Sequence, residues 1–134
     1  MRANQIRKPE GLENLKELIE LNLSDNQISS LKGIELIYSL KKLILNGNII
    51  KSTVPLENLK NLITINLQCN KLHDISGITL LKDLSEINIA QNPILEKIKR
   101  IYPKISEKTE EFIDINDFLQ NLPIIQKRLT GFNS

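Results

Sequence analysis

The chain has 134 residues, with 18 Lys and Arg against 16 Asp and Glu and a formal net charge of +2. Bulk charge therefore gives no support to a nucleic-acid-binding surface or an acidic tail, and the length suits one domain. A single cysteine, Cys69, rules out an internal disulfide framework and points to a reducing, intracellular compartment, cytoplasmic or nuclear. No apolar run follows Met1-Arg2, so no signal peptide is expected. The longest apolar runs are too short to cross a membrane.

From the N-terminus, Asn4-Gln5-Ile6 matches Asn26-Gln27-Ile28, and Gly11-Leu12 matches Gly33-Ile34. The asparagine recurs at Asn4, Asn26, Asn48, Asn70 and Asn92, always 22 residues on. A fixed period in the twenties is the mark of a solenoid built from one small unit per row. The chain is expected to enter this solenoid midway through a row, with residues 1–14 as a partial first repeat. Solenoids shield their first row with a polar-faced cap, and three readings stay open for this end. The chain is a fragment of a longer repeat protein, or its bare strand edge takes a partner or a second copy of itself, or residues 1–9 fold over the end as a partial cap.

Residues 15–94 hold the full rows, which begin at Leu15, Ile37, Leu59 and Leu81. The seventh place reads Leu21, Leu43, Ile65 and Ile87, and the ninth Leu23, Leu45, Leu67 and Ile89. These alternate with polar residues, the period of a β-strand. Each row thus predicts one short parallel strand that buries its apolar face only when stacked on its neighbours. The asparagine falls where the chain leaves the strand. Its amide both donates and accepts, so a column of amides can satisfy the turn backbone. Eight places after it come Ile34, Leu56 and Ile78 and then Arg100, where the pattern stops. Gly11, Gly33, Pro55 and Gly77 share the place before, a turn position.

Residues 95–134 read as a helical cap. Leu95, Ile98, Ile101 and Tyr102 have helical spacing after Pro93. A second periodic stretch holds Phe112, Ile115, Phe118, Leu119 and Leu122, with Ser106 as its N-cap and Pro123 as its stop. Two uses of the clustered aromatics Tyr102, Phe112, Phe118 and Phe132 stay open, closing the core or docking a partner. Gln126-Lys127-Arg128 reads as a solvated, weakly basic tail.

Rows of the form LxxLxxLxLxxNxIxxI at a step of 22 resemble the short leucine-rich repeats of the regulatory subunit 7 class of type-1 protein phosphatase. The spliceosomal A-prime protein, the acidic leucine-rich nuclear phosphoproteins, the leucine-rich light chain of axonemal dynein and the bacterial internalins use the same repeat type. Asn92-Pro93, Tyr102 and Leu122-Pro123-Ile124-Ile125 look like the cap that ends the eukaryotic members, without its final Leu-Asp. The fold expected is an α/β leucine-rich repeat solenoid with a short parallel β-sheet on its concave face and a helical C-terminal cap.

The resemblance implies another protein bound on the concave face. Read by column, that face carries Glu20, Lys42, Thr64 and Glu86 in the sixth place and Asn22, Ile44, Asn66 and Asn88 in the eighth. Asn46 and Gln68 stand in the tenth, between Ser24 and Ala90. The strip is polar and mostly uncharged, with one apolar island at Ile44 and none of the aromatic anchors common in tight interfaces. Phosphatase-binding relatives carry acidic and aromatic residues here, and their sparseness argues against that partner. The alternative is that these are ordinary solvated strand residues.

Catalysis fails on inventory, so no enzyme is expected. His73 beside Asp74 reads as a solvated pair on a turn, and Cys69 as an ordinary half-buried thiol. Nothing converges as a metal site would, no phosphate loop is present, and no cofactor is expected. Direct RNA binding would need stacking aromatics in a basic groove, and the repeats hold only Tyr38. The expected role is a non-catalytic interaction module, a recognition or regulatory subunit. The alternative is a ribonucleoprotein assembly subunit, which binds a protein and not the nucleic acid.

Overall fold

The structure, a computed structural model, describes residues 5–104 and 115–131. Asn4 of the expected ladder, and Met1, Ser106, Phe112 and Phe132, lie outside these residues. The described chain forms four strands of three residues: β1 (Glu20–Asn22), β2 (Lys42–Ile44), β3 (Thr64–Asn66) and β4 (Glu86–Asn88). They build one parallel sheet in the order β1-β2-β3-β4. Glu20 pairs with Lys42, Lys42 with Thr64 and Thr64 with Glu86. The register therefore equals the sequence period, and every column becomes a line of side chains across the sheet.

Pairing runs past the strand ends, with Leu23 N–H donating to Ile44 O at 2.9 Å and Leu45 N–H to Asn66 O at 2.8 Å. This is what a short strand needs, because its stability comes from neighbouring rows rather than from its own length. Seventh- and ninth-place residues point inward, and Leu43, Leu45, Ile65 and Leu67 are fully buried. The return path makes single 3-10 turns at Ile34–Leu36, Val54–Leu56 and Ser76–Ile78, each setting one apolar residue of the convex column into the core. Buried Thr53 ties two of these turns together. It accepts from Gly77 N–H at 3.0 Å and donates to Asp74 O at 3.2 Å. Solenoid fold and sheet are thus those expected.

The first row is less enclosed than the middle ones. Ile6, Leu18 and Leu21 are only partly buried against the core, while Gln27 N–H donates to Ile6 O at 2.9 Å and Pro9 is buried. At the other end, α1 (Ile94–Ile101) buries Ile94, Leu95 and Ile98. The longer α2 (Ile115–Gly131) adds Phe118, Leu122, Ile125 and Leu129 to the same core. Tyr102 and Phe118 meet edge-on at 5.4 Å and are both buried. They close the core and are not a docking surface.

Two expectations are corrected. Pro123 does not stop its helix, because α2 continues through it to Gly131. A proline removes one backbone hydrogen bond and crowds the preceding turn, but the apolar face made by Leu122, Ile125 and Leu129 is buried on both sides of it. Lys127 and Arg128 are accordingly exposed residues of a helix, not of a tail. Cys69 is exposed rather than half-buried. It sits at φ 56°, and Asp25, Gly47 and Gln91 in the equivalent places have φ 57°, 74° and 57°. The residue before each of Asn26, Asn48, Asn70 and Asn92 thus takes a left-handed conformation, and Asp25, Cys69 and Gln91 are exposed there.

The cap holds one shifted carboxylate. Tyr102 Oη donates to Asp117 Oδ2 at 2.6 Å, and Lys104 lies 3.5 Å from the same oxygen. The tyrosine hydrogen bond first, and then the lysine charge, hold Asp117 below the usual carboxylate range. A depressed carboxylate stabilises the fold above its unfolded pKa, and that contribution is lost as pH falls through the folded one. Asp117→Asn should therefore lower the melting temperature at neutral pH and flatten its fall under acid. Melts from pH 7 down to pH 2 with parallel curves for both proteins would contradict this.

Candidate recognition face

Two sets of asparagines meet at the ends of β1, β3 and β4 and do different work. The ladder asparagines Asn26, Asn48, Asn70 and Asn92 are buried. Asn70 donates through Nδ2 to Leu45 O and Leu67 O, each at 3.0 Å, and accepts from Ile50 N–H at 3.0 Å. Asn48 and Asn92 repeat this pattern one row to either side. Asn26 donates to Leu23 O at 2.9 Å and accepts from Ile6 N–H at 3.4 Å. Each amide satisfies turn backbone of its own row and its neighbours, because no water reaches those groups.

The eighth-place asparagines lie on the open concave face, half-buried. They are not idle there. Asn22 Oδ1 accepts from Ser24 N–H at 3.0 Å, Asn66 Oδ1 from Gln68 N–H at 3.0 Å, and Asn88 Oδ1 from Ala90 N–H at 3.0 Å. This is an Asx turn, in which a short side chain caps the backbone two residues on. Its legible signal was the asparagine itself, four places before the ladder asparagine of the same row. Asn70→Ala should cost about 1–3 kcal/mol by stranding buried groups. Asn66→Ala, which loses one half-buried cap, should cost about 1 kcal/mol or less. Urea titration of the two variants that ranks them in the opposite order would reverse the inward and outward assignment.

The register brings the concave residues into lines. Glu20, Lys42, Thr64 and Glu86 form one, and Asn22, Ile44, Asn66 and Asn88 the next. Lys42 Nζ reaches Glu20 Oε1 at 3.7 Å with both ends exposed, a pair that adds little stability. At the β3–β4 end the amides satisfy one another: Asn88 Nδ2 donates to Gln68 Oε1 at 3.2 Å and Gln68 Nε2 to Gln91 Oε1 at 3.4 Å. The Cys69 thiol also donates to Gln91 Oε1.

The β2 row breaks the rule. Ile44 stands where the other rows have asparagine and supplies no acceptor. Among the described residues Asn46 N–H has no hydrogen-bond partner. The Asn46 amide has none among them either.

The other chemistry-bearing residues lie elsewhere. His73 is exposed on the far side of the turn. Asp74 accepts from Ser52 Oγ, Ser76 N–H and Ser76 Oγ, all at 2.9 Å, which marks it as a bracket between rows. No group of three metal-ligating side chains occurs among the described residues. No described helix is long and apolar enough to cross a membrane.

Comparison with known proteins agrees with this architecture. Residues 17–37 match the family described as Leucine Rich Repeat, and residues 38–80 the family described as Leucine Rich repeats (2 copies). The two matches adjoin and together span residues 17–80, the rows that carry β1 to β3. Among solved structures, an internalin from Listeria monocytogenes is similar at 28% identity and TM-score 0.58, covering 60% of this chain and 24% of the internalin chain. Internalin C2 from the same species is similar at 32% identity and TM-score 0.63, covering 66% of this chain and 39% of its own. The chain spans well under half the length of either. No curated protein matches it.

Proposed function

We propose that this leucine-rich repeat chain is a non-catalytic protein-recognition module that binds another protein on its concave face. We place it inside the cell, in the cytoplasm or the nucleus, as a regulatory or recognition subunit. The short 22-residue step shared with the phosphatase regulatory subunit and A-prime type of repeat supports that role, and the free, exposed thiol of Cys69 supports the compartment. One observation carries the reading. The parallel sheet lines up Glu20, Lys42, Thr64 and Glu86 beside Asn22, Ile44, Asn66 and Asn88, half-buried or exposed, on a face where no other strand or helix is inserted among the described residues.

The test is cross-linking of the tagged chain in cells followed by mass spectrometry, with an Ile44→Glu/Asn66→Arg double variant beside it. The variant should fold and lose its cross-linked protein. Retention of that protein, together with its release by Ile124→Glu on the exposed side of α2, would move the interface to the cap and end the concave reading.

A further inference from the structure

The β2 row departs from its neighbours in two ways at once, and both leave chemistry pointing outward. Three rows close the N–H of the tenth-place residue with an asparagine side chain. The β2 row gives up that cap and presents a half-buried aliphatic side chain, Ile44, beside the unpartnered Asn46 N–H. The β3–β4 amides, by contrast, are engaged with one another. A donor and an apolar patch side by side in the middle of the sheet are what an incoming backbone carbonyl and its own aliphatic side chain would fill. Where a sequence breaks its own local rule without a packing gain, a functional site is the expected reason.

The charges give the second half of the partner. The Lys42 charge is matched by Glu20 at 3.7 Å. Glu86, in the same line two strands away, is exposed and has no ion pair among the described residues. Asp25, also exposed, adds a second acid at the rim of the face. The unmatched charge of the face is negative. Strands lie about 4.8 Å apart and residues about 3.3 Å along a strand, so Glu86 lies roughly 12 Å from Ile44. That is about four residues of extended chain, which also returns a side chain to the same face.

We infer that the concave face binds an extended polypeptide segment that seats an aliphatic side chain on Ile44. Its neighbouring carbonyl accepts from Asn46 N–H, and a Lys or Arg about four residues away pairs with Glu86. The inference rests on the concave reading above and adds the register and the chemistry of the partner.

The probe is a displayed library of random twelve-residue peptides selected on the immobilised chain, with the enriched peptides measured by fluorescence anisotropy. Enrichment of an aliphatic and a basic residue about four apart is expected. Ile44→Asn should weaken these peptides at least about tenfold, as loss of one anchor does, while its melting temperature stays at or above that of the parent because the missing cap is restored. Glu86→Gln should weaken them less and reduce their salt dependence.

Peptides that need Lys42 or Gln68 but ignore Ile44 would overturn the inference and leave the concave reading standing. So would a selection that enriches nothing, since a folded partner could still use the face. Peptides indifferent to every concave substitution would sink both.

Discussion

Gly77→Ala is expected to lose about 3 kcal/mol or more of folding stability, the upper range of overpacking effects. Gly77 is buried, and a Cβ there would stand 1.7 Å from the Thr53 carbonyl oxygen, 2.3 Å from its carbon and 2.8 Å from Val54 N. All three are backbone atoms of the preceding row, so no rotamer change relieves the clash. The rows must part, which also strains the bond from Gly77 N–H to Thr53 Oγ1. Gly11→Ala is the control. Nothing lies within 4 Å of its Cβ, but its φ is +68°, so only the left-handed backbone is penalised, by about 1–2 kcal/mol. Urea midpoints at equal m-values separate the two. A Gly77→Ala protein within about 1 kcal/mol of the parent would show that the convex turns can separate at little cost, against the close approach described above.

Damage to the stacked columns should depend on position along them. Leu45→Ala and Leu67→Ala remove fully buried side chains from the two rows whose strands, β2 and β3, lie inside the sheet, and each should cost about 2–5 kcal/mol. Leu21→Ala is the same change in the same kind of column, but β1 is the sheet edge and Leu21 is only partly buried. Its cost should be about 1 kcal/mol, in proportion to the smaller area removed from water. Equal losses at Leu21 and Leu67 in chemical denaturation would mean that the first row is as tightly held as the middle ones.

The repeat itself was legible because stacking imposes one environment on each column. A position that must face the core in every row admits only Leu or Ile in every row, and a position that must cap buried backbone admits only Asn. So the strands, their register and the burial of Leu45, Leu67 and the ladder asparagines follow from the spacing. The cap was less legible. Helical spacing located α1 and α2, but proline chemistry alone suggested a stop at Pro123, and burial of Leu122 and Ile125 overrode it. The aromatics Tyr102 and Phe118 could have faced either way until the packing of α2 on the last row set them inside.

The candidate site divides in the same manner. Which residues share the concave face was determined by the sequence, since a period of two within the strand and 22 between strands admits one arrangement. What those residues are free to do was decided by tertiary structure. The sequence shows Asn22, Asn66 and Asn88 as three equivalent amides, yet each spends its oxygen on the backbone two residues on. The left-handed turn at Asp25, Gly47, Cys69 and Gln91 has no shared residue type to announce it. Hydrogen bonds and backbone dihedrals belong to geometry rather than to residue identity. The significance of Ile44, a single apolar letter in a polar column, therefore emerges only beside the N–H that it leaves unpartnered.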